Sequence, residues 1–165
     1  MRNLTFRRID PVLVTEASAL LRELRQAHES VRDCLQELEK VLARPTLDPG
    51  ALTSVRLRLA GLRLTRGPLV TRVAAVLAGN VSREEAAMVQ DLRCSHQRLL
   101  QIATAHTAKW TLDAISSNWS DYRSETRELV RKWQAKVQRE QRLVHPLIER
   151  CAQDGRSARK EAVAD

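Results

Sequence analysis

Aromatic side chains are scarce in this chain of 165 residues: three Trp, one Tyr and one Phe, 3% in all. The interior must therefore be built from Leu, Val and Ala. With only five Gly and five Pro, that composition points to an all-helical domain. The three cysteines, Cys34, Cys94 and Cys151, are odd in number and far apart, with no CxxC pair. They indicate neither a disulfide framework nor a zinc site, and the expectation is a reduced, cytoplasmic protein with semi-buried thiols. No apolar stretch approaches the ~20 residues of a membrane span. Met1 to Ile9 holds no apolar run of leader length.

Long blocks of like charge are also missing. The net charge is +8, with Arg spread among Glu and Asp. The excess is uneven, because Pro49 to Ser82 contains five Arg and no acid. Most of these charges are read as a solvated face. A basic surface favours acidic partners. Nucleic acid is disfavoured, since no recognition-helix motif is present and the aromatics are few.

What the sequence does have is helical periodicity. A first helix is expected over about 15–44, with Thr15 as N-cap and a seam of Leu21, Leu24, His28, Val31, Leu35, Leu38 and Leu42. Pro45 and Asp48-Pro49-Gly50 end it. A second helix over about 50–78 repeats Val55, Leu59, Leu62, Leu69, Val73 and Val76 on one face. Gly67-Pro68 inside it predicts a kink or break. Ser82 and Glu85 have capping-box spacing and start a third helix. Its seam is Val89, Leu92, His96, Leu99, Ala103, His106 and Trp110, and it is expected to end near Ser116–Asn118. Ser117 or Ser120 caps a fourth helix running to about Cys151, with a seam of Leu129, Trp133, Lys136, Glu140, Leu143 and Leu147. Short connections between long amphipathic helices predict an up-down-up-down antiparallel four-helix bundle over 15–152. It is flanked by an irregular lead-in, 1–14, and a frayed tail, 153–165.

Ionisable groups on these seams are costly unless paired or functional. His28, Arg66, His96, Lys136 and Glu140 fall at central positions, so antiparallel helices bring them to similar heights as a buried polar layer. Imidazoles and carboxylates pointing inward from helices are the plan of a di-iron bundle. The run from Lys136 to Leu147 resembles the segment H-x-x-x-E-E-x-x-L-[FY]-P-L of hemerythrin-like domains: Glu140 matches the first carboxylate and Pro146-Leu147 the end. Ala27-His28-Glu29 resembles the family's first histidine segment, and His96 with Leu99 its third-helix histidine. The resemblance covers roughly residues 20–150 and implies a bundle that could hold iron through His28, His96 and Glu140, with His106 as an additional candidate.

The departures argue against intact iron binding. Lys136 stands at a histidine position, Gln141 where a second acid often lies and His145 where an aromatic is usual. On the second helix, Thr65 and Leu69 occupy the ligand positions, with Arg66 and Pro68 between them. Cations inside a site repel a divalent metal. The expectation is a vacated metal site filled by a salt-bridge network, with Lys136 and Glu140 paired at i, i+4 and Arg66 reaching the same carboxylate.

Catalysis is not expected: no nucleophile–base arrangement, Gly-rich phosphate loop or carboxylate pair is present. A phosphotransfer domain needs an exposed helical histidine, whereas His28, His96 and His106 sit on seams and His145 precedes a proline. The chain therefore reads as a non-catalytic regulatory or protein-binding module without a cofactor; the alternatives are an iron-binding hemerythrin-like oxygen or redox sensor or carrier, and a basic nucleic-acid-associated helical protein. Leu57 and Leu64, bordered by Arg56, Arg58 and Arg63, lie off the core face of the second helix. They suit a protein partner or self-association, unless the lead-in around Phe6 and Val12-Leu13-Val14 folds over them.

Overall fold

The computed structural model describes the backbone of residues 11–164 and the side chains of residues 16–154. Among these, every regular element is a helix, and none is long and apolar enough to cross a membrane. Proline opens the first two: α1 spans Pro11–Ala43 and α2 spans Pro49–Ala78. The first turn has no use for the N–H that proline lacks, and its fixed φ suits a helix start. Residues 11–14, expected to be irregular, are thus helical, and Thr15 lies within α1 instead of capping it. Residues 1–10, with Phe6, lie outside the described residues. Asp48 caps α2 by accepting from the Ala51 N–H at 2.9 Å.

Of the kink or break expected at Gly67-Pro68, the break is absent: α2 continues as one helix through Pro68. Pro68 removes the donor that would close on the Leu64 carbonyl. Both residues are exposed, so water can take that carbonyl and the lost bond does not end the helix.

α3 spans Arg83–Lys109 and opens with the capping box expected from the sequence. Glu85 N–H donates to Ser82 Oγ at 3.2 Å, and Ser82 N–H donates to Glu85 Oε2 at 2.8 Å. α3 stops before the expected Ser116–Asn118. Trp110 leaves helical geometry at φ −100° and ψ 75°. Its ring turns inward, edge-on to Tyr122 at 5.5 Å, and its Nε1 donates to Glu125 at 2.9 Å. Thr111 then caps a short helix, α4, over Leu112–Ser117. α5 spans Trp119–Ala164; neither expected cap opens it, since Ser117 ends α4 and Ser120 lies inside α5. The segment expected to fray from 153 is helical as far as Ala164, and Asp165 lies outside the described residues.

Side-chain pairs fix how the helices run. Glu37–Arg58 and Glu23–Arg72 join α1 to α2. Arg25–Glu149 and Glu39–Gln134 join α1 to α5. Asp91–Arg139 and Glu85–Arg150 join α3 to α5. In every set, rising numbers on one helix meet falling numbers on the other, so each pair is antiparallel.

The apolar interior divides in two. One cluster holds Val31, Leu35, Val55, Leu99, Val130 and Val137. The other holds Leu20, Leu24, Leu69, Val73, Leu92 and Val144. Between them, the long helices contribute polar side chains instead.

Candidate functional site

Each polar residue of that middle layer sits where its helix passes from one apolar cluster to the other. His28 falls between Leu24 and Val31 on α1, and Arg66 between Val55 and Leu69 on α2. His96 falls between Leu92 and Leu99 on α3. Lys136 and Glu140 flank Val137 on α5, ahead of Val144. All five are buried. Helical periodicity turns them inward, and the antiparallel register brings them level.

Glu140 is the centre. One carboxylate oxygen, Oε2, accepts from Arg66 Nη2 and from His28 Nε2, the latter at 3.0 Å. The other, Oε1, accepts from Lys136 Nζ one helical turn away. Burial by itself would raise the Glu140 pKa. The His28 hydrogen bond and the Arg66 and Lys136 charges outweigh it and hold the carboxyl down to about 2. Glu140 is therefore ionised, and a carboxylate can only accept. That assigns the proton of His28 to Nε2 and leaves Nδ1 as an acceptor.

His28 Nδ1 is 3.0 Å from Nε2 of His145, and the two rings stack with centroids 5.1 Å apart. His145 consequently donates from Nε2. The result is one directed chain, from half-buried His145 through His28 to Glu140. His28 and His145 are both kept neutral, chiefly by burial: the His28 pKa is lowered and that of His145 falls to about 4. His145 was not among the residues expected at the site. It lies off the seam of α5, and it comes inward because α1 approaches α5 on that side.

His96 shares the layer without bonding Glu140. Its ring meets Trp133 edge-on at 5.9 Å. Burial, then the Lys136 and Arg66 charges, push its pKa to about 4. His106 stands apart, ten residues and about 15 Å further along the same helix by rise per residue. It pairs with Thr126 Oγ1 at 3.0 Å and packs on Tyr122. The four candidate metal ligands, His28, His96, His106 and Glu140, thus do not form one set. The donor chemistry does not fit a metal: both Glu140 oxygens face fixed cations, and both nitrogens of His28 are engaged. No cluster of three or more His, Cys, Asp or Glu side chains suited to a metal exists among the described residues.

The layer is not balanced. Two cations, Arg66 and Lys136, face one carboxylate. Among the described residues, Arg66 Nε and Nη1 and His96 Nδ1 are buried without hydrogen-bond partners. Both side chains form part of the wall of a cavity of about 350 Å³ lined by residues of α1, α2, α3, α4 and α5. Comparison with family models, curated proteins and solved structures finds no match.

Proposed function

We propose that this chain is a non-catalytic binding module: a hemerythrin-like, up-down-up-down four-helix bundle in which fixed cations occupy the place of a metal centre. Glu140 carries this reading. The one inward carboxylate of the layer is held by Arg66 and Lys136, as a metal would hold it. A buried carboxylate saturated by guanidinium and ammonium is poor in ligand capacity and in basicity, so it serves neither metal binding nor general-base chemistry. The antiparallel helix pairs and the polar layer at mid-height support the bundle.

Elemental analysis and the visible spectrum of protein expressed with added iron test the reading. Protein without stoichiometric iron is the expected result, and one or two irons per chain overturns it. Contact with a protein partner or a second copy is a further reading. It rests on Leu57 and Leu64, which are 68% and 79% exposed on α2. Sedimentation of the wild type and of Leu64→Glu tests self-association: a dimer that the substitution dissociates supports it, and a wild type that stays monomeric at high concentration removes it.

A further inference from the structure

The cavity is walled mainly by apolar side chains, among them Leu35, Leu59, Leu62, Leu129, Val130 and Trp133. Its volume of about 350 Å³ lies within the ~300–1,000 Å³ span of small-molecule sites. Three of the five arginines in the acid-free stretch from Pro49 to Ser82 line it: Arg56, Arg63 and Arg66. No acidic side chain lines it among the described residues. Arg56 and Arg63 are half-buried, whereas Arg66 is 3% exposed and His96 6% exposed.

Arg66 gives one of its two terminal nitrogens to Glu140 and keeps Nε and Nη1 unpartnered among the described residues. Guanidinium is donor-only and permanently charged, so what completes it is an acceptor, preferably an anion. His96 adds an unpartnered buried nitrogen, Nδ1. The polar layer itself carries one more fixed positive charge than negative. An apolar chamber with surplus positive charge in its wall selects a molecule of matching polarity.

We infer that this cavity is a binding site for an amphipathic carboxylate, with its hydrocarbon body among the α2, α3 and α5 side chains and its anionic head against Arg66 and His96. This deepens the reading of the chain as a binding module and rests on it. The half-buried Arg56 and Arg63 raise the local concentration of anions at the wall. Arg66 and His96 supply the hydrogen bonds that distinguish a carboxylate from a neutral alcohol of the same length.

Calorimetric titration of the full chain with decanoate, and separately with 1-decanol, tests the inference. Saturable one-to-one binding of decanoate is expected, with decanol at least tenfold weaker. Ala60→Phe places a ring in the wall of the cavity, away from the Glu140 cluster, and is expected to weaken decanoate at least tenfold. If that variant does not fold by circular dichroism, Thr53→Phe at the same wall replaces it. Arg66→Lys retains a cation for Glu140 but loses the Nε donor, and is expected to weaken decanoate more than decanol. Absence of decanoate binding, equal binding of decanol, or binding unaffected by the cavity-filling substitution each overturns the inference. Iron found in the same preparation would overturn the binding-module reading instead, so the two failures are told apart.

Discussion

Glu140 accepts from side chains on α1, α2 and its own α5, and its removal strands two cations in the core. Glu140→Ala is therefore expected to destabilise the fold by about 3 kcal/mol or more in urea denaturation; a loss below about 0.5 kcal/mol would mean that the cluster contributes nothing. Its folded pKa lies below the ordinary 4.5, at about 2. The stability it contributes is present above pH 4.5 and lost as pH falls towards 2. His96 works in a higher window. Its folded pKa of about 4 lies below the ordinary 6.5, so the unfolded chain takes up a proton that the native core refuses. Stability is expected to fall as pH drops from 6.5 to 4. At about 1.4 kcal/mol per pKa unit, His96→Gln should remove on the order of 3 kcal/mol of that fall, as read from denaturation at the two pH values. Glu140, Arg66 and Lys136 were legible at this scale, because each sits in the middle of a helical apolar stripe or beside one. His145 was not, since the periodicity of its own helix does not show which neighbour approaches it.

α2 and α3 begin where local chemistry says they should, and α3 ends where tertiary contacts intervene. Ser82 and Glu85 exchange both bonds of a capping box, a pattern complete within four residues and readable without the fold. Ser82→Ala is expected to lower stability by about 1 kcal/mol in thermal or urea unfolding. Gly61 lies mid-helix in α2 with open space around the position of a Cβ. Gly61→Ala should raise stability by about 0.5–1 kcal/mol, since it reduces backbone freedom in the unfolded chain without meeting a neighbour. An unchanged or lower midpoint would show that the position is crowded. The end of α3 was not legible. Its seam continues through Trp110, and what turns that ring inward is Tyr122 and Glu125, residues of a later helix. Pro68 does not end α2: the carbonyl it leaves without a donor lies on the exposed Leu64 side, where water can take it.

Across the whole molecule, charge is arranged in two regimes. The ion pairs that join helices at the surface, such as Glu37–Arg58 and Arg25–Glu149, are about half exposed and screened by salt. Arg58→Ala is expected to cost less than about 1 kcal/mol at physiological ionic strength, and less still at 1 M salt. A loss as large as that expected for Glu140→Ala would mean that surface pairs carry the fold. The buried cluster, by contrast, divides the interior into two apolar halves and stands beside a cavity. A cavity is a property of how far helices diverge, so no single-chain pattern reports it.

The sequence by itself determined that the chain is helical, where α2 and α3 start, and that His28, His96, Lys136 and Glu140 turn inward, because these depend on backbone chemistry within one or two turns. Tertiary structure alone decided that His145 extends the chain to His28 and that Arg66 and His96 line an apolar cavity. Those facts depend on the register and separation of helices far apart in the chain. The energies that set them come from burial and from pairing across helices, which no local window contains.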